Sequence, residues 1–93
     1  MLTFTLTYEF YDMVKSKQKT HEYRVANRFW NSRISRLSIG DKIRFARGYS
    51  KESLIAVVTG YNFINRDNLP EYAKDFFKPY LKFFHDIEFK IIL

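Results

Sequence analysis

Ninety-three residues suffice for one hydrophobic core but not for two. An apolar fraction of 46% beside 28% charged residues excludes the disordered class, and the lack of cysteine excludes disulfide frameworks and thiolate metal sites. The formal charge of +6 is uneven, with eleven Lys/Arg against four Asp/Glu in residues 1–51 and five against six in residues 52–93, which favours an anionic partner for the first half.

Leu2-Thr3-Phe4-Thr5-Leu6-Thr7 alternates apolar and polar residues and predicts a half-buried strand. Phe10, Met13 and Val14 then recur at helical spacing, with Glu9 and Asp12 early and Lys15 and Lys17 late, in keeping with a helix dipole over residues 8–16. Ser16-Lys17-Gln18 turns the chain into a strand over Lys19–Arg24. From Ala26 to Leu37 the period is helical again, with Trp30, Ile34 and Leu37 on one face and Arg28, Arg33 and Arg36 around it. Ser38-Ile39-Gly40-Asp41 ends that helix, and Gly40 suits a positive φ in a tight turn.

Lys42–Arg47 alternates, with Ile43, Phe45 and Arg47 on the inward side. After the loop Gly48–Glu52, residues 53–64 form a strand whose centre, Leu54–Val58, is apolar on both faces and reads as central and covered twice. Gly60 marks a bend or bulge. Asn65–Pro70 is a turn with Asn68 as the expected cap and Pro70 in the first helical turn. Tyr72, Phe76, Phe77 and Tyr80 give a short helix ended by Pro79, and residues 84–93 close the chain as a strand.

The expected order is β-α-β-α-β-β-α-β. The fold class is therefore α+β: a small mixed β-barrel of about five strands with short helices covering its ends. Ten Phe and seven Tyr fit a tight barrel interior or exposed platforms for single-stranded nucleic acid. The longest apolar run, Leu54–Val58, is too short to cross a bilayer, so no membrane partner is expected. Met1–Phe4 lacks the basic start of a signal peptide, and the expectation is a cytoplasmic protein.

Three stretches carry a resemblance: Lys19-Thr20-His21-Glu22-Tyr23-Arg24, then Ile39–Phe45 with its Gly40-Asp41 turn, then His85–Lys90. Together they resemble the ASCH domain family, related to PUA RNA-binding domains, whose motif strand runs Lys-Thr-x-Glu-x-Arg. Arg24 through Trp30 to Arg33, with Phe45 and Gly48-Tyr49-Ser50, is similar to a subgroup of that family. The resemblance spans nearly the whole chain and implies a single PUA-like domain over residues 1–93, with a cleft lined by the motif Lys, Glu and Arg. It implies RNA or a nucleotide or nucleoside as ligand. It also brings an alternative, since one branch hydrolyses the amide of 4-acetylcytidine and some members are ribonucleases. The amidohydrolase branch pairs its Lys with a Thr three residues on and a distant Glu. Here that third residue is Glu22, and the distant acid has no clear match, Glu71 and Asp75 being no more than candidates.

Strand parity puts Glu22 and Arg24 on one face and His21 and Tyr23 on the other. Lys19 joins Glu22 only if it lies in the turn, before the strand becomes regular. Lys19 and Glu22 are then the candidate acid/base residues. Arg24, Arg28, Arg33, Arg47 and Tyr49 are the candidate nucleotide contacts. Arg47, facing inward, calls for an acid such as Glu22 or for phosphate. Trp30 has core spacing and is expected to pack. His21 reads as a surface residue, and both it and His85 stand too far from other ligands in sequence to suggest a metal, so no metal or cofactor is expected.

Overall fold

The structure is a computed structural model that describes residues 1–93. In chain order it comprises β1 (Leu2–Leu6), α1 (Tyr8–Lys15), β2 (His21–Val25), α2 (Arg28–Ile34), β3 (Lys42–Arg47), β4 (Ser53–Asn65), a 3-10 turn (Arg66–Asn68), α3 (Glu71–Phe76) and β5 (Phe83–Ile91). The five strands form one mixed sheet in the order β1-β3-β4-β5-β2, curled into a half-barrel. Only the β1–β3 pair is parallel. The first and last strands of that order are both edges, and the seam between them holds the candidate site.

The alternation of the strands determines which side chains fill the barrel. Phe4 and Leu6 of β1, Ile43 and Phe45 of β3, Ala56 and Val58 of β4, and Ile87 and Phe89 of β5 form the main core with Tyr11, Val14 and Ile34 of the helices. Each such buried apolar side chain contributes roughly 1.5–3 kcal/mol. A second, smaller cluster of Leu69, Ala73 and Phe84 lies under α3, packed with Tyr23, Val25 and Ile64. The sheet thus has helices on both sides, α1 and α2 on the inner face and α3 across the outer face of β2, β5 and the end of β4.

Side-chain caps start both longer helices: the Thr7 hydroxyl accepts from the Phe10 N–H at 3.2 Å and the Asn27 carboxamide accepts from the Trp30 N–H at 2.9 Å. The second helix accordingly begins at Arg28 rather than Ala26. Asn65, not Asn68, caps the third region, accepting from the Asp67 N–H at 2.9 Å, and the turn it caps is 3-10. The following helix has Pro70 at its N-cap position and ends at Phe76, leaving Tyr80 outside it and exposed. The register of β4 against β5 shifts between Val58 and Gly60, which confirms the bulge expected at Gly60. Ile55 and Val57 are only half-buried, so the centre of β4 is fully covered on one face alone.

Candidate functional site

The turn after α1 decides the geometry. Lys17 takes a left-handed backbone (φ 68°), and the chain doubles back so that the Lys19 N–H donates to the Met13 carbonyl at 3.1 Å. Regular strand structure starts only at His21. Lys19 therefore escapes strand parity, as the motif required, and its ammonium turns to the Glu22 side.

The side chains of Lys19 and Glu22 are 3% and 4% exposed, and Lys19 Nζ lies 2.6 Å from Glu22 Oε1. Nζ also donates to the His21 carbonyl. Arg24 Nε donates to the other carboxylate oxygen, Oε2, at 2.6 Å, and its Nη2 donates to the Thr5 carbonyl at 3.2 Å. The guanidinium also lies 4.7 Å from the Trp30 ring centre and 5.2 Å from that of Phe4. Arg24 thus spans the seam between edge strands β2 and β1 where no backbone ladder joins them. Two cations share one buried carboxylate, which leaves the cluster with a net positive charge.

Beside this cluster is a cavity of about 100 Å³. Thr5, Leu6 and Thr7 of the β1 end line one wall and Lys19, Glu22, Tyr23 and Arg24 another. Phe10 of α1 and Tyr72, Ala73, Phe76 and Phe77 of the α3 region complete it. The apolar roof is fixed in place by Arg66, whose guanidinium donates to the carbonyls of Lys74, Phe77, Lys78 and Leu81 at 2.8–3.2 Å. Burial, reinforced by the charges of Asp86 and Glu22, pushes the Tyr23 hydroxyl up to about 12, and the same causes push Tyr72 to about 12. Both walls therefore present neutral phenols that can donate a hydrogen bond.

Of the residues singled out in the sequence, the fold brings together Lys19, Glu22 and Arg24. It does not bring the others to them. Arg47 pairs with Asp12 (Nε to Oδ1, 3.1 Å) and stacks on Tyr8 at 4.2 Å from the ring centre, so the acid it required is Asp12 and not Glu22. That partner was invisible in the sequence because Asp12 lies on α1, 35 residues earlier. Tyr49 projects freely from the β3–β4 turn. Arg28 is exposed on α2, and Arg33 is also exposed, lying over the Phe29 ring and donating to the Phe29 carbonyl at 2.9 Å. Glu71 faces solvent beside Lys74 at 3.9 Å, and neither it nor Asp75 lines the cavity.

No family model matches the chain, and no curated protein sequence matches it. In structure it is similar to the crystal structure of hypothetical protein PH0355, with a TM-score of 0.71 over 98% of each chain at 16% identity. That likeness establishes the fold alone.

Sequence reasoning missed the aromatic cavity walls, because Tyr23 and Tyr72 come from a strand and a helix that meet only in the folded chain. It also missed His85. This side chain follows the inward parity of Ile87 and Phe89, a signal that was present, and it is buried. Its Nδ1 lies 2.6 Å from the Tyr61 hydroxyl and its Nε2 lies 2.7 Å from Asn31 Oδ1. In the neutral Nε2–H tautomer Tyr61 donates to Nδ1 and Nε2–H donates to Asn31, so both ring nitrogens are satisfied. Burial lowers its pKa, which favours that neutral form. His21 is less solvated than its strand position suggested: Nδ1 is 2.6 Å from Asp86 Oδ1 and Nε2 is 3.5 Å from Glu88 Oε2 across the β2–β5 ladder. No group of three or more His, Cys, Asp or Glu converges on a possible metal position. No helix is long and apolar enough to cross a membrane.

Proposed function

We propose that this chain is a cytoplasmic ASCH-type, PUA-like domain that binds RNA, or a nucleotide or nucleoside, at the seam cavity. One observation carries the reading: a buried carboxylate held between two cations gives the cavity a positively charged floor under aromatic and phenolic walls. Buried charge is costly, and a pure scaffold would be served as well or better by apolar residues of similar volume. A positive floor matches phosphate or the carbonyl of a base, and the aromatic side matches its face. Its volume of about 100 Å³ admits one ring-sized group.

The cluster acts as a recognition element more readily than as an acid/base pair. Both oxygens of Glu22 already accept short hydrogen bonds, so neither is free to take a proton from a substrate. Hydrolysis of a nucleoside amide or of RNA through Lys19 and Glu22 therefore requires one of these bonds to open.

Titration with labelled single-stranded RNA and with uridine monophosphate, at several salt concentrations, tests the proposal. Affinity for the RNA is expected to fall linearly with log salt as counterions are released. Arg24→Met is expected to weaken both ligands. Binding that ignores salt, or that ignores Arg24→Met, overturns the reading. Turnover of acetylated cytidine by the wild-type protein, lost in Lys19→Ala, replaces it with the hydrolase.

A further inference from the structure

A second surface lies on the inner face of the sheet beyond the barrel. Past the bulge at Gly60, β4 outruns β3: the last β3 pairing is Lys42 with Val57, whereas β4 continues alongside β5 to Asn65. Residues on this two-sided arm would be expected to be polar where no helix covers them. They are instead aromatic. Tyr61, Phe63 and Phe83 are 44%, 57% and 55% exposed. Phe63 is paired with His85 and Phe83 with Asn65, which sets all of them on one face. The Phe63 and Phe83 rings are stacked at 5.9 Å with an interplanar angle of 13°, and the His85 ring meets Phe63 edge-on at 5.6 Å.

Facing this strip is α2. The bond from Asn31 to His85 fixes its orientation, and helical spacing puts Arg28 and Ser35 on the Asn31 side. Ala26 donates its N–H to the Phe83 carbonyl at 2.9 Å, so the start of α2 lies beside Phe83. The inner end of the groove opens into a cavity of about 490 Å³ lined by Asn31, Ser35, Ser38, Tyr61 and His85 with apolar neighbours. Arg28 is exposed on this side of α2 and takes part in no ion pair, whereas Arg33 and Arg36 lie on the opposite side, beside Met1, Leu2 and Lys42.

We propose that the groove between α2 and the β4–β5 arm binds a single-stranded RNA segment, with bases stacked on Phe63, Phe83 and Tyr61 and the phosphate backbone on Arg28 at the start of α2. This rests on the reading of the chain as an RNA binder and adds a second contact to it. Aromatic faces accept any base, whereas the unneutralised Arg28 next to them, on a chain of net charge +6, selects an anionic strand. Charge also decides against a second copy of the chain as occupant. Each copy carries +6, and docking this face on itself would bring two unpaired Arg28 guanidinium groups together. The Tyr61–His85–Asn31 chain has a structural part here, tying α2 to the arm and holding the groove at a fixed width.

The test compares a labelled octauridylate with uridine monophosphate by fluorescence anisotropy and calorimetry. Wild-type protein should bind the octamer much more tightly than the mononucleotide. Phe63→Ala/Phe83→Ala should weaken the octamer by about tenfold or more while leaving the mononucleotide unchanged, on the scale of base–aromatic stacking. Phe63→Leu/Phe83→Leu keeps the apolar bulk without the π-face and should give the same loss, which guards against a folding defect. Arg28→Gln should lower the salt slope by about one. An octamer affinity within twofold of wild type in both double variants overturns this inference and leaves the seam cavity standing. Loss of the octamer in those variants with no mononucleotide binding at all overturns the seam cavity and leaves the groove. Failure of both ligands to bind overturns both. Concentration-dependent dimerisation abolished by Phe63→Ala/Phe83→Ala assigns the strip to self-association instead.

Discussion

Glu22→Gln is the sharpest perturbation of the seam. The side chain is 4% exposed, and each carboxylate oxygen is 2.6 Å from a cationic nitrogen. Glutamine keeps the shape and one acceptor but removes the only anion in the cluster. Lys19, with its side chain 3% exposed, is then left without a counter-charge, whereas Arg24 at 20% exposure can recover some solvent. Breaking a buried pair by removing one partner costs about 3–5 kcal/mol, and the partial exposure of Arg24 favours the lower figure, about 3 kcal/mol. For a chain of this length the unfolding entropy is about 0.2 kcal/mol/K, so the melting temperature should fall by about 15 °C.

The assay is thermal unfolding by circular dichroism for Lys19→Met, Glu22→Gln and the double variant. The double variant should be more stable than Glu22→Gln alone, because it removes the stranded ammonium. Phosphate should raise the melting temperature of Glu22→Gln more than that of wild type, since the floor has gained a positive charge. A fall of less than about 3 °C, or strictly additive effects in the cycle, would refute the argument that the carboxylate is needed to hold two buried cations.

Three further outcomes follow from other parts of the molecule. Arg66→Lys should loosen the cavity roof, because a point charge cannot make the four directed bonds of the guanidinium; hydrogen exchange over residues 71–81 should rise, and unchanged protection would refute this. His85 has a pKa lowered below its ordinary 6.5, so the unfolded chain binds more protons than the folded one just under that value. Its contribution to stability is full above about pH 6.5 and is lost as the pH falls further; the melting temperature should drop from pH 7.5 to 5, less so in His85→Gln, and an equal drop in both would remove His85 as the cause. Gly48→Ala should cost about 1–2 kcal/mol, since the backbone is left-handed (φ 54°) and the new Cβ would stand 2.6 Å from the Tyr8 ring. Urea unfolding measures that loss, and a variant as stable as wild type would show that Tyr8 moves without penalty.

Local patterns were enough for most of the secondary structure. Alternation at Leu2–Leu6 and Lys42–Arg47, and helical spacing at Phe10, Met13 and Val14, express themselves within one turn or a few residues and need no partner to be read. The element order and the bulge at Gly60 were legible for the same reason. Cap identity was less so: Asn27, Asn65 and Asn68 look alike until the backbone shows which carboxamide meets a free N–H. Parity put Glu22 and Arg24 on one face and left Lys19 conditional on the turn. The left-handed Lys17 that satisfies the condition is a local feature, but its effect depends on α1 being docked so that Met13 receives the Lys19 N–H.

Only the tertiary structure decided the rest. Arg47 faces inward by parity, yet whether it meets Glu22 or Asp12 depends on how α1 lies against β3. Tyr23 and, on the facing side, Tyr72 and Phe77 come to line one cavity because α3 folds across β2 from far along the chain, and Arg66 holds it there. The sequence alone determined that Glu22 and Arg24 share one strand face, with Lys19 able to join them only through the turn before the strand. That the group is buried, that its arginine crosses to Thr5 to hold the two edge strands together, and that a cavity opens beside it are consequences of closing the sheet. The covalent chain carries the charges; long-range packing removes the water that would have screened them.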